Sequence, residues 1–260
     1  MHQLPIRPAG RDTLDAIPAM FARHPFPEAR PCGLSSICRG AHVLDYSRVR
    51  ASRDDIDVVA MYHPYCAIRG LRSCVDIEGP RTYRSAWKQV INLYAARLGW
   101  PLASFDVGVA TARVKTSEAR EAHLQAVMQA PFWRHGGALY AHLPMPHPLA
   151  LATDDRLDTE YAANLQTAVV FVHALAQTLT KQFGDRARIV ITSDHPLRPA
   201  VWCSDSGYSP YGSQGCKGLR KTFLDSDVPL IVAARRAAPA PSITSSLDAF
   251  SLLSSEGRLE

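Results

Sequence analysis

Four short apolar runs, each bounded by turn-forming residues, constrain this chain most: 57–61 (DVVAM), 138–143 (ALYAHL), 188–192 (RIVIT) and 229–233 (PLIVA). Runs of this length read as buried strands. Two stretches with apolar residues at three- and four-residue steps lie between them. One comprises Trp87, Val90, Ile91, Tyr94, Ala95 and Leu98; the other comprises Tyr161, Leu165, Ala168, Val169, Val172, Leu175 and Leu179. That spacing predicts amphipathic helices. Apolar strands alternating with such helices predict an α/β fold, a three-layer sandwich whose mostly parallel sheet is covered on both faces. Ligands in that architecture bind beyond the carboxyl ends of the strands.

The 260 residues allow one large α/β domain or two small ones. No stretch of eighteen apolar residues occurs, and the start, MHQLPIRPAGRD, lacks the apolar centre of a signal peptide. Either the protein is cytoplasmic as written or an anchor lies upstream. The net charge of +5 comes from scattered arginines without a basic run or an aromatic-interleaved stripe. That pattern argues against nucleic acid as a partner and suits an anionic substrate, an anionic membrane face or a plain solvated surface. Six cysteines form three local pairs by spacing: Cys32 with Cys38, Cys66 with Cys74, and Cys203 with Cys216. Disulfides in an oxidising compartment and buried free thiols fit equally well. Residues 1–236 read as the folded domain. Residues 237–260, rich in Ala, Pro and Ser, read as a tail with one short docking helix around Leu247, Phe250, Leu252 and Leu253.

Three segments could carry chemistry. Thr192-Ser193-Asp194-His195 follows the strand RIVI, and its carboxylate and imidazole offer the oxygen and nitrogen that zinc accepts. A capped turn would look the same. His142-Leu-Pro-Met-Pro-His147-Pro follows another strand. Its prolines stiffen a loop that could aim His147 at an oxyanion or a leaving group, or carry idle histidines. Thr13-Leu-Asp-Ala-Ile-Pro18-Ala-Met20-Phe21 opens on a residue that is an N-cap by its local pattern. A metal-activated nucleophile is the alternative.

The order of these segments resembles the alkaline phosphatase and sulfatase superfamily, in its sulfatase-like and phosphoethanolamine-transferase-like branch. The resemblance runs from about residue 9 to residue 236 and rests on all the motifs together. The spacing of Thr13 to Pro18, Met20 and Phe21 matches that of the transferases' nucleophilic threonine, and Asp194 and His195 match two metal ligands. His147 matches the mid-chain His-Pro loop near the leaving group, and Tyr161 and Asn164 match the helix between those motifs. VVAMYHPYC (58–66), followed by Cys74, resembles a sulfatase-like subgroup made for oxidising compartments, which implies a Cys66–Cys74 disulfide. The chain departs from the pattern in three ways. Twelve residues leave no room for the family's first strand with its acidic ligand. Pro196 replaces the usual Gly, and no histidine follows His195.

The resemblance implies a divalent ion, zinc, at Asp194, His195 and Thr13, with Thr13 as nucleophile and His147 at the leaving or entering group. By its position alone Arg198 could clamp an equatorial oxygen, a plain surface arginine being the alternative. The expected activity is phosphoryl or phosphoethanolamine-type transfer, or hydrolysis of a phospho- or sulfo-ester. The substrate would be anionic: a lipid head group, a glycan or a small phosphoester. The threonine favours phosphoryl chemistry, because the Cys-x-Pro-Ser-Arg type motif of sulfatases is missing. The location implied is periplasmic, with membrane attachment through a segment upstream of this chain. Two rivals remain: a catalytically degenerate relative acting as a binding or scaffolding module, and an unrelated nucleotide-binding domain. The second lacks its phosphate loop, since no GxGxxG or GxxxxGK[ST] occurs.

Overall fold

The structure, a computed structural model, describes residues 2–77, 120–146, 148, 156–203, 212–219, 227–234 and 243–248. The predicted helix around Trp87–Leu98 lies outside the described residues, as does His147. Each of the four apolar runs is a strand. In chain order the strands are β1 (His2–Ile6), β2 (Arg30–Pro31), β3 (Ser36–Arg39), β4 (His42–Asp45), β5 (Ile56–Ala60), β6 (Ser73–Asp76), β7 (Ala138–Ala141), β8 (Arg188–Thr192) and β9 (Val228–Ala234). The longer helices include α1 (Thr13–Ala22) and α2 (Leu157–Phe183), and residues 120–129 are helical as well.

Among the described residues the strands form three small sheets in a mixed α/β fold. One is parallel, in the order β6-β5-β7; β1-β9-β8 and β2-β3-β4 pair antiparallel. Contrary to the expectation from their number, the twelve residues before Thr13 do accommodate a strand, β1, which runs antiparallel to β9 and carries no acidic side chain.

Asp57, Arg72 and Gly136 sew the amino ends of the parallel strands together. Arg72 donates to both carboxylate oxygens of the buried Asp57, at 3.0 and 2.5 Å, and to Gly136 O at 2.8 Å, while Ser73 Oγ donates to Asp57 Oδ1 at 2.8 Å. Burial pushes the Asp57 carboxyl up, but Arg72 and Ser73 outweigh it and hold the group below its usual value. The carboxyl ends are left to the loops that follow, Met61–Tyr65 after β5 and His142 after β7.

The parallel sheet packs on both faces. Val58, Ala60 and the partly buried Tyr140 join the cluster made by Ala16, Ile17, Ala19 and Met20 of α1. Leu139, one residue from Tyr140 and so on the opposite face, packs in the cluster of Leu175, Leu179 and Phe183 of α2, Trp133, and Ile189 of β8. Full burial of side chains such as Ile17 contributes about 1.5–3 kcal/mol each.

Helix α1 starts where it does because Asp12, in extended conformation, accepts from Asp15 N at 3.0 Å. It stops at Arg23, whose φ of 57° is left-handed. The predicted apolar stripe of α2 holds only in its second half. Leu165 and Val169 are 41% and 55% exposed, whereas Glu160 and Asn164 are fully buried with Leu157. The core-facing line runs one residue away from the apolar count, because two of its N-terminal positions are polar. Residues 243–248 of the tail dock on the end of β1: Arg7 N donates to Thr244 O and Ser246 N to Arg7 O, both at 2.9 Å, and Leu247 packs on the α1 cluster.

Candidate functional site

The N-terminus of α1, the end of β8 and the end of β7 meet at one carboxylate. Thr13 Oγ1 donates to Asp194 Oδ2 at 2.6 Å, the length of a charge-assisted hydroxyl–carboxylate bond. On the same oxygen, His195 Nε2 stands at 3.8 Å and His142 Nε2 at 4.0 Å. Asp194 Oδ1 accepts from the His195 backbone N–H at 3.0 Å. Burial works against the Asp194 charge, yet the two imidazoles, the Thr13 hydroxyl and that backbone N–H together hold its carboxyl below the usual value.

Hydrogen bonds fix the orientation of the surrounding rings. His195 Nδ1 lies 2.7 Å from Pro196 O. A carbonyl only accepts, so Nδ1 carries a proton there, and Nε2 is the ring nitrogen turned toward Asp194. His63 is fully buried, with Nε2 3.0 Å from Thr13 O and Nδ1 3.2 Å from the Tyr46 hydroxyl. Its Nε2–H therefore donates to the backbone of Thr13, and its Nδ1 accepts from Tyr46. Burial, aided by the nearby His142, pushes His63 down to about 3, so the ring is neutral. The Tyr65 hydroxyl bridges His142 Nδ1 at 3.0 Å and the Tyr140 hydroxyl at 3.2 Å. Burial pushes His142 down as well, against the pull of Asp194.

The structure brings Thr13, Asp194 and His195 together. Arg198 is next to them but engaged: its Nη1 donates to Asp12 Oδ2 at 3.3 Å, tying the loop after β8 to the cap of α1. The other nearby acid, Asp15, turns away and accepts from Ala29 N at 2.9 Å. Cys66 and Cys74 are disulfide-bonded with Cα atoms 5.4 Å apart, and Cys32–Cys38 and Cys203–Cys216 are bonded too. The first of these ties the turn carrying Tyr65 to β6. Local pattern missed His142, His63 and Tyr65. Residues 58–66 contain two of them, and the loop of His147 begins with the third.

No group of three or more His, Cys, Asp or Glu among the described residues is arranged to hold a metal ion. In donor type, Asp194 Oδ2, His195 Nε2, His142 Nε2 and Thr13 Oγ1 suit zinc, and His195 has the backbone-anchored Nδ1 usual for a ligand histidine. Tetrahedral bonds of about 2.0–2.1 Å place ligand atoms roughly 3.4 Å apart. From Asp194 Oδ2 the two imidazole nitrogens stand wider than that, at 3.8 and 4.0 Å, and Thr13 Oγ1 stands closer, at 2.6 Å, so the atoms as placed form a hydrogen-bonded group.

Comparison with family models, with curated proteins and with solved structures finds no match.

Proposed function

We propose that this chain is a phosphoryl-transfer enzyme or ester hydrolase of the alkaline phosphatase and sulfatase type, with Thr13 as nucleophile. The observation that carries the reading is the 2.6 Å bond from Thr13 Oγ1 to Asp194 Oδ2, with two imidazoles within 4.0 Å of that oxygen. A hydroxyl is a weak nucleophile until a neighbouring base takes its proton. Asp194 is placed to take it as Oγ1 bonds to phosphorus and the ester P–O bond breaks. His142 and His195, beside the same carboxylate oxygen, are placed to pass the proton to the departing oxygen. Water or a second alcohol would then release the phosphoryl group from Thr13 by the reverse sequence. His63 holds the Thr13 carbonyl and so the first turn of α1, while Tyr65 holds His142.

The helix-covered parallel strands support an alkaline-phosphatase-like three-layer arrangement. Were zinc bound instead, Asp194, His195, His142 and Thr13 would hold it, and it would supply Lewis-acid stabilisation of the developing charge in place of the proton relay through the two imidazoles. The three disulfides support an oxidising compartment such as the periplasm. No helix of the described residues is long and apolar enough to cross a membrane.

The experiment is a panel of aryl phosphate monoesters, diesters and an aryl sulfate, assayed with added zinc and with chelator. Turnover with a phosphopeptide containing Thr13, lost in Thr13→Ala, is the expected result. Equal turnover by Thr13→Ala removes the nucleophile role. Zinc binding without turnover of any ester favours the degenerate binding module instead.

A further inference from the structure

The helical segment 120–129 and the residue after it bury one line of side chains: Arg120, His123, Val127 and Ala130. The spacing is that of a single helix face. Its second half is an ordinary core: Ala130 belongs to the Trp133–Leu179 cluster, and Val127 O accepts from Trp133 Nε1 at 2.7 Å. Its first half is basic. Arg120 is 7% exposed and His123 0%, yet among the described residues Nε and Nη1 of Arg120 and both ring nitrogens of His123 have no hydrogen-bond partner. Native cores rarely leave such groups bare, and a buried guanidinium without an acceptor is strongly unfavourable. Something with acceptor oxygens is called for.

The chain shows where that gap lies. Segment 120–129 leads through the turn Phe132–His135 into the amino end of β7. Its opposite end, with Arg120 and His123, therefore lies toward the carboxyl edge of the parallel sheet, where His142 emerges. His123 feels the His142 imidazole, which together with the larger effect of burial pushes it down to about 4. Neutral His123 offers one N–H, and Arg120 supplies the formal charge with a fork of donors matched to phosphate or sulfate oxygens.

We propose that Arg120 and His123 form an oxyanion-binding subsite beside His142, which takes a phosphate or sulfate group of the substrate separate from the group transferred at Thr13. The substrate role rests on the ester-transfer reading above; the binding of an anion does not. Such a subsite selects substrates with two anionic groups and leaves esters with a single charge poorly held.

The test uses the full chain and inorganic phosphate, with chloride at equal ionic strength as control. Phosphate raises the unfolding temperature of the parent, because an anion held only by the folded state stabilises it by mass action. Arg120→Met unfolds at a higher temperature than the parent in chloride, since an unpaired buried charge has been replaced by an apolar chain, and it gains nothing from phosphate. Thr13→Ala keeps the phosphate shift while losing ester turnover, which separates the two sites. The ring nitrogen resonances of His123 in the parent move on adding phosphate, a readout independent of whether a variant folds. Four results overturn the subsite: Arg120→Met less stable than the parent in chloride, an undiminished phosphate shift in that variant, loss of the shift in Thr13→Ala, or unmoved His123 resonances, which would leave only a buried water. Glycerol phosphate, carrying the same oxyanion on an organic body, distinguishes the source. A larger shift than with inorganic phosphate supports a substrate group, and an equal or smaller one overturns the substrate role.

Discussion

Thr13 and Asp194 lie 181 residues apart in the chain, and the hydroxyl of one donates to the carboxylate of the other at 2.6 Å. That bond joins the N-terminus of α1 to the end of β8, so it acts on the fold and on the site together. The two residues should therefore be coupled in stability as well as in activity. A double-mutant cycle of Thr13→Ala and Asp194→Asn, followed by urea unfolding, is expected to give an interaction of about 1–3 kcal/mol. Additive effects would mean that the bond is not made in solution. Each single variant should abolish ester turnover.

Tyr65 acts on the site through His142. Its hydroxyl is the partner of His142 Nδ1 and of the Tyr140 hydroxyl, and Phe keeps the ring while taking that one hydrogen bond from each. Tyr65→Phe is expected to lower stability by about 1–3 kcal/mol and to move the nitrogen resonances of His142. In turnover, kcat should fall with KM little changed, because no contact to substrate is lost. A changed KM with unmoved His142 resonances would place Tyr65 on the substrate instead.

The strands were legible because a buried strand needs little more than a short apolar run between turn residues, and β5, β7, β8 and β9 all have one. Helix α2 was legible as a helix but not in its facing, since Glu160 and Asn164 occupy core positions that an apolar count skips in favour of the exposed Leu165 and Val169. In the site, Asp194 and His195 stood out by position at a strand end. Thr13 became a candidate only through the order of motifs, because locally it looks like a cap. The cap is in fact Asp12. Nothing local marks His63, whose importance lies in reaching Thr13 O across 50 residues. Spacing alone does not say that the His142 imidazole turns toward Asp194. That depends on Tyr65, far away in sequence.

Acid should weaken the fold through its buried histidines. His63 has a folded value of about 3 against an unfolded value of about 6.5. Between those values the unfolded chain binds the proton and the folded chain does not. Stability from this group is thus whole above about pH 6.5 and falls by about 1.4 kcal/mol per pH unit as acid is added. His123, folded value about 4, adds in the same direction. Unfolding free energies at pH 7, 6 and 5 should fall accordingly. His63→Gln, which retains an N–H donor for Thr13 O but does not titrate, should fall less steeply, by roughly one proton's share. An identical slope in that variant would show that His63 is already charged or exposed in the folded protein.

Gly10 controls the approach of the chain to Thr13. A Cβ at this position would lie 2.4 Å from Ala16 N and 2.7 Å from Asp15 C. Both are backbone atoms of the first turns of α1, so neither can rotate out of the way. Gly10→Ala must therefore displace either the loop or the start of the helix, and overpacking of this kind costs about 1–3 kcal/mol. The displacement falls where Asp12 caps the helix and where Thr13 reaches Asp194, and a hydroxyl–carboxylate bond of 2.6 Å tolerates little movement. The variant should consequently lose more activity than its lost stability explains, with turnover well below the parent's even at a temperature where it is fully folded. Measuring the folded fraction and the specific activity on the same sample checks this. Gly70→Ala is the control, because its left-handed φ of 80° makes it strained too, while its nearest neighbours, around Arg50 and Ala51, are 3.8 Å or more from an added Cβ and belong to another part of the fold. If both variants lose activity only in proportion to their unfolded fraction, the loop from Gly10 to Asp12 does not set the position of the Thr13 hydroxyl.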